Sequence, residues 1–371
     1  MRVVICMKNN KLESLMKKIV CLIESLGSGG AERQLSGLAA LLRQNNYDVE
    51  VWTYYPNDFY LPILQDANVT YRYIAEAQNK KKRLWVLRRE LRKANPDTVI
   101  TYLDTACMVA CVIKAMGARF RLIVSERNTT QRLSKRERLK FFLYRFADCI
   151  VPNSHTQAEF VKSHFPNLAH KVECITNFVD TNRFVPAQER AERAPRRILT
   201  VARVMPQKNV VGYIKAVKLV VDGGFSIRVD WFGNSVNENY YNLCKQMVKD
   251  NGLENVFVFH PAKQNIIEEY QTADIFCLPS FFEGFPNVVC EAMCCGLPII
   301  ASNVCDNAQI VEEGINGFLL DPNDEVQMAN VMMKSLEVAE NKMVEMGNAS
   351  RKLAVEKFSS TAFIRKYINI I

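Results

Sequence analysis

Short apolar runs of β-forming residues recur along this chain, separated mostly by segments of helical length, and the pattern occurs twice. The first series lies at 18–23, 49–53, 69–74, 98–102, 121–124, 149–151 and 172–175. A polar stretch at 187–197, AQERAERAPRR, interrupts it. The second series follows at 198–202, 227–232, 256–260, 274–278, 298–301 and 317–320. Strands this short and continuously apolar are buried on both faces, which points to parallel sheets built from βαβ units. The expected architecture is α/β, with two Rossmann-like domains facing across a cleft. At 371 residues the chain is also too long for one ordinary core. The expected boundaries are 1–190 for the first domain, 191–355 for the second, and 356–371 for a C-terminal helix that packs back on the first. Residues 1–15 read as an extension, because Met16-Lys17-Lys18 stands directly before the first convincing strand.

Composition removes several function classes. No apolar run reaches the roughly 18–20 residues that span a bilayer, and the start of the chain is too broken by Lys and Glu for a secretory signal. The twelve cysteines are scattered through apolar segments and show no metal-ligand spacing, so they read as small buried hydrophobes in a reducing cytoplasm. The net charge of +9 is uneven: the basic excess lies in the first 190 residues, and the remainder is slightly acidic. A basic lobe suits an anionic membrane, a phosphorylated acceptor or nucleic acid, and no recognition motif supports the last.

The strongest motif is SFFEGFPNVVCEAMCCGLP at 280–298. A strand ends before it, Glu283 falls in the following loop, and a helix opens at Pro286-Asn287 and closes near Gly296. Glu283 and Glu291 therefore stand at the carboxyl end of a sheet beside a helix N-terminus, where carboxylates can accept paired hydrogen bonds from vicinal hydroxyls. The ordinary alternative is a pair of surface glutamates. This string resembles the E-x7-E motif of the retaining glycosyltransferases of family 4, which have the GT-B fold. The resemblance assigns the transferred sugar to Glu283, sugar-hydroxyl contacts to Gly284, Phe285, Pro286 and Asn287, and the ribose to Glu291.

Three further strings fall in the order this family shows. TVARVMPQKN at 200–209 places Arg203 and Lys208 in one loop after a strand, where a guanidinium fork and an ammonium can clamp a diphosphate. The family usually has Gly where Ala202 stands. IESLGSGGAER at 23–33 carries Gly29 and Gly30 in a strand-to-helix turn, similar to the family's donor-facing loop. Without the Lys and Ser/Thr of a phosphate loop, it would be a weak nucleotide signal on its own. At 125–128, Ser-Glu-Arg-Asn replaces the histidine many relatives carry near the transferred sugar. Glu126 orienting an acceptor hydroxyl, Arg127 binding an acceptor phosphate, and a plain ion pair all remain open there. Ser235 stands where relatives often have a second glycine after Gly233. The histidines form no ligand set; His155 is either a cleft residue or, better, a structural one.

Two segments, 80–93 (KKKRLWVLRRELRK) and 132–146 (RLSKRERLKFFLYRF), mix cations with Leu, Trp and Phe. Read as helices, they suit either an anionic membrane surface or inward packing with solvated cations. The resemblance implies transfer of a sugar from a nucleoside diphosphate sugar, UDP-linked by expectation, with retention at the anomeric carbon. The acceptor would be a glycan or a polyprenyl-pyrophosphate-linked glycan in surface polysaccharide synthesis. Arg203 and Lys208 would stabilise the leaving group without metal or cofactor, and domain closure would exclude water from the donor. The expected location is cytoplasmic, peripheral at the inner face of the cytoplasmic membrane. The rivals are a sugar-nucleotide epimerase of the same architecture, against which the E-x7-E string argues, and a non-catalytic carbohydrate-binding homologue.

Overall fold

The computed structural model describes residues 16–188, 194–263 and 265–371. The expected extension at 1–15, and positions 189–193 of the polar linker, lie outside them. The chain forms two compact units: one runs to Thr176 and takes in Phe363–Ile371, and the other is Asn177–Ala362.

In the first unit the strands and helices alternate as β1 (Lys18–Leu22), α1 (Gly30–Gln44), β2 (Asp48–Thr53), α2 (Leu61–Asp66), β3 (Thr70–Tyr73), α3 (Arg83–Ala94), β4 (Thr98–Tyr102), α4 (Asp104–Ala115), β5 (Arg121–Glu126), α5 (Lys135–Leu143), β6 (Cys149–Pro152) and α6 (His155–His164). The sheet order is β3-β2-β1-β4-β5-β6, parallel throughout, with Leu22 paired to Trp52 on one side and Thr101 on the other. Central strands are sealed on both faces: Ile19 to Leu22 are 0% exposed. Ser134 and Ser154 cap α5 and α6 by accepting the backbone N–H of Glu137 and Gln157, which sets where those helices begin.

The second unit repeats the plan with β7 (Arg196–Val201), α7 (Val210–Asp222), β8 (Ile227–Phe232), α8 (Glu238–Asp250), β9 (Phe257–His260), α9 (Ile267–Thr272), β10 (Ile275–Leu278), α10 (Asn287–Cys294), β11 (Ile299–Ser302), α11 (Asn307–Ile310), β12 (Gly317–Leu320), α12 (Glu325–Leu336) and α13 (Glu340–Phe358). Its order is β12-β11-β10-β7-β8-β9. The last helix, α14 (Ser360–Ile370), belongs from Phe363 onward to the first unit. There Tyr367 exchanges a 2.9 Å hydrogen bond with Tyr102, and Arg121 donates to the Ile370 carbonyl at 2.6 Å.

One expected strand is absent. Residues 172–175 run beside β6 with a single bridge, Ile150 to Val172. Glu173 and Ile175 donate to the carbonyls of Ile150 and Pro152, but Pro152 has no N–H to return, so no ladder forms. The described cysteines are unbridged, and all but Cys174 and Cys305 are buried. Among the described residues no helix is long and apolar enough to cross a membrane.

Candidate active site

In each sheet the chain starts at a central strand, builds outward to one edge, then crosses to build the other way. Ligands of such sheets collect where the strand order reverses, at the carboxyl ends. In the second unit that point lies between β7 and β10, and the loops leaving those two strands carry Arg203, Lys208 and Glu283.

The two loops are stitched together. Gln207 donates from its side-chain nitrogen to the Phe282 carbonyl at 2.9 Å, and its own carbonyl accepts the Phe281 N–H at 2.9 Å. Lys208 Nζ meets Glu283 Oε1 at 2.5 Å, and both side chains are nearly buried. A one-turn 3₁₀ helix, Pro206–Lys208, ends at Asn209 in the left-handed conformation. The Asn209 side chain donates to the Pro322 carbonyl at 2.7 Å, which anchors the loop to the body of the unit. Arg203 is exposed and has no ion-pair partner among the described residues, so its guanidinium is available to an incoming anion.

Glu283 and Glu291 are 7% and 5% exposed. A third loop, after β11, touches the first: the Glu283 N–H points at Cys305 Sγ, 3.5 Å away. Burial pushes the Cys305 thiol above its usual pKa, so it stays neutral there. Glu291, inside α10, accepts the Tyr270 hydroxyl at 3.1 Å from α9. Asn287, the first residue of α10, accepts from the Asn177 side chain at 2.9 Å. Phe285 faces inward, its ring centroid 5.6 Å from that of Phe358. Tyr270, Asn177 and Cys305 have no motif of their own and come from elements far apart in the chain; Gln207 lies inside the 200–209 string, but nothing in the sequence marks its role in joining the loops.

In the first unit Gly29 is the N-cap of α1, with extended rather than left-handed backbone. A Cβ there would lie 2.2 Å from Glu32 Oε2, the free end of a flexible side chain, so the Glu32 carboxylate lies close over this turn. Glu32 thus folds back over the start of its own helix, and burial, aided by Glu24, raises its carboxyl pKa. A carboxylate in this position favours hydroxyl groups over phosphate at this turn.

Glu126 and Arg127, the acceptor-side candidates, are 1% and 9% exposed and engaged internally. Glu126 accepts from Lys140 Nζ at 2.8 Å and from the Tyr144 hydroxyl. Lys140 also meets Asp104 at 3.2 Å and Glu137 at 2.8 Å. Burial opposes the Lys140 charge, but the Glu126 and Asp104 carboxylates outweigh it and hold the lysine protonated. Arg127 lies 3.9 Å over the Tyr102 ring and donates to the Tyr367 hydroxyl at 3.1 Å. Both residues hold the carboxyl edge of β5 in place. At this string, therefore, Glu126 is held in an ion pair with Lys140, and Arg127 by the Tyr102 ring and the Tyr367 hydroxyl.

The family model described as Glycosyl transferases group 1 matches residues 182–353, and the model described as Glycosyltransferase Family 4 matches residues 28–183. The chain belongs to this glycosyltransferase family. The enzyme is 26% identical over 370 residues to an uncharacterized glycosyltransferase of Haemophilus influenzae, covering 96% of this chain and 100% of that one. It is 25% identical to the Campylobacter jejuni α-1,4-N-acetyl-D-galactosaminyltransferase that acts on a diphosphoundecaprenol-linked glycan, covering 88% of this chain and 89% of that protein. Anabaena HepE, solved in complex with UDP, superposes with a TM-score of 0.82 at 20% identity over 95% of this chain and 98% of its own. The transferase therefore has the GT-B fold.

Proposed function

We propose that this glycosyltransferase moves a sugar from a UDP-linked donor, with retention at the anomeric carbon, to a polyprenyl-pyrophosphate-linked glycan in surface polysaccharide synthesis. The observation that carries the reading is the contact between Lys208 and Glu283 across two stitched loops at the strand-order reversal of the second unit. It puts a cation for a leaving diphosphate within 2.5 Å of a carboxylate able to hold sugar hydroxyls. Arg203, in the same loop, supplies the second positive group. Stabilising charge on a departing diphosphate with preorganised cations is the main demand of such a transfer, so the reaction is metal-independent. Glu291, held by Tyr270, accepts the ribose hydroxyls, and Gly284 to Asn287 line the sugar. In the first unit, Gly29 and Gly30, with Glu32 across them, form the turn suited to donor hydroxyls. Glu126 and Arg127 act as positioning groups that support the acceptor side.

UDP as the nucleotude is supported by HepE, which was solved with UDP and also with UDP-glucose. A lipid-linked acceptor is supported by the Campylobacter relative and by an Escherichia coli galactosyltransferase acting on α-D-GlcNAc-diphosphoundecaprenol, 28% identical over 44% of this chain. Exposed Trp85, Leu139 and Phe142, set among cations, fit a peripheral position at the inner face of the membrane that carries such an acceptor.

The test is calorimetric titration with UDP-, GDP- and ADP-sugars, with and without chelator. Binding of a UDP-sugar that survives the chelator and weakens at least about tenfold in Glu291→Ala is expected. Binding of none, or binding abolished by the chelator, would overturn the donor assignment.

A further inference from the structure

A second cationic feature of the first unit lies away from this chemistry. Between the C-terminal ends of α3 and α4 is a hollow of about 390 Å³ lined by Arg88, Arg92 and Arg119, over a floor that includes Leu91, Ile113 and Phe120. Pro96, two residues before β4, and Phe120, directly before β5, also border it. The hollow is therefore at the amino edge of the sheet, opposite the edge that bears the Gly29–Gly30 turn.

Its arginines differ from the cations around them. Arg89 is paired with Glu76 and Glu90, Lys93 with Glu90, and Lys114 with Asp148. Arg88, Arg92 and Arg119 have no acidic or hydrogen-bonding partner among the described residues. Three unneutralised guanidiniums around one apolar-floored hollow repel one another, and an oxyanion between them relieves that repulsion with charge-assisted forked hydrogen bonds. A second hollow adjoins the first, sharing Arg88 and Arg92 and adding Trp85, Arg89 and Lys93. Positions 85, 88, 89 and 92 recur at helical spacing, so they share one face of α3. Trp85 on that face is 59% exposed.

We propose that Arg88, Arg92 and Arg119 form a binding site for the phosphodiester headgroup of an anionic lipid, with Trp85 seated beside it in the interfacial layer. Unpaired guanidiniums supply the charge match to the headgroup, and an indole at the rim prefers the boundary between water and acyl chain. The site rests on the peripheral membrane position proposed above for Trp85 and deepens it, but it lies apart from the donor and acceptor chemistry, so vesicle binding can fail or hold independently of sugar transfer.

The experiment is flotation of the full chain with vesicles of phosphatidylglycerol mixed with phosphatidylcholine, against phosphatidylcholine alone. The wild type binds the anionic vesicles, and the combined Arg88→Gln, Arg92→Gln, Arg119→Gln variant weakens that binding by more than about tenfold, each basic residue near a charged surface contributing appreciably. A control removes the same charge elsewhere, through Lys215→Gln, Lys218→Gln and Lys334→Gln, three lysines paired with acids on the second unit. It retains most of the binding. Trp85→Ala weakens binding to vesicles, while glycerol phosphate at millimolar concentration leaves vesicle binding largely intact. Equal loss in the control, no preference for anionic vesicles, or full competition by glycerol phosphate would overturn the proposal. Melting temperatures are measured alongside, and if the triple variant melts far below wild type, Arg92→Gln alone must show a partial loss.

Discussion

A methyl group added at residue 233 would stand 2.0 Å from the carbonyl oxygen of Ala202. That approach is how the loop after β8 lies against the loop carrying Arg203, with the Trp231 indole donating to the same Ala202 carbonyl at 2.8 Å. The neighbouring atom is backbone, so it cannot swing aside, and overpacking of this kind costs about 3 kcal/mol. Gly233→Ala should therefore lower the melting temperature by several degrees in a differential scanning experiment. An unchanged melting temperature would show that the two loops separate freely. The glycine in WFGNS was visible in the sequence, yet its reason was not: the clash involves a residue 31 positions earlier. The substitution of Ser235 for a second glycine has a local consequence that is plain in the structure. Its hydroxyl accepts the Asn237 N–H at 3.1 Å and gives β8 a defined exit toward α8.

At the scale of elements, β8 carries the most concentrated electrostatics among the described strands of the second unit. Asp230 is met by Arg197 at 2.6 Å, Arg228 at 3.1 Å and His260 at 2.6 Å, and Arg197 in turn reaches Glu269 at 2.6 Å. Burial alone would raise the Asp230 pKa, but hydrogen bonds from Arg228, Arg197 and His260 outweigh it and bring the carboxyl down to about 2 from 3.8. A carboxyl with a depressed folded value stabilises above its unfolded value and loses that contribution as pH falls. Asp230 should thus contribute about 2 kcal/mol at neutral pH that disappears between about pH 4 and pH 2. Urea unfolding at pH 7, 4 and 3 checks this, since Asp230→Asn should flatten the acid-side loss. A variant whose stability falls with pH as steeply as wild type would contradict the assignment. Element positions were legible because continuous apolar runs can only be buried strands in a chain with this many intervening helices. The edge segment at 172–175 was not, because Pro152 on its neighbour is silent about pairing until the two are side by side. The basic helices were half legible. Their amphipathic composition was plain, but Arg83 turns inward to the Ala77 carbonyl and the Tyr55 hydroxyl, and Lys140 is buried among three carboxylates. Composition cannot tell such cations from solvated ones.

Over the whole molecule, the same strand order appears in both units. In the second, the loops at the reversal hold Arg203, Lys208 and Glu283; in the first, the loop after β1 holds Gly29 and Gly30, while Glu126 and Arg127 stand at the end of β5. For the second unit this makes the site a consequence of topology: β7 and β10 are adjacent only because the chain crosses over, and adjacency brings Lys208 to Glu283 across 75 residues of sequence. The motifs carried the donor-side residues into view because each occupies a strand end in its own right. The supporting contacts from Tyr270, Asn177, Gln207 and Cys305 arise only from packing, and no spacing within the chain encodes them. We propose that Glu283 serves the transfer step itself. The direct measurement is acceptor-dependent release of UDP from a UDP-sugar, with a polyprenyl-pyrophosphate-linked glycan as acceptor, for wild type and Glu283→Gln. Glu283→Gln is expected to lower kcat by about 10²–10³, with UDP affinity within about tenfold of wild type. A Glu283→Gln enzyme that releases UDP at the wild-type rate would contradict it.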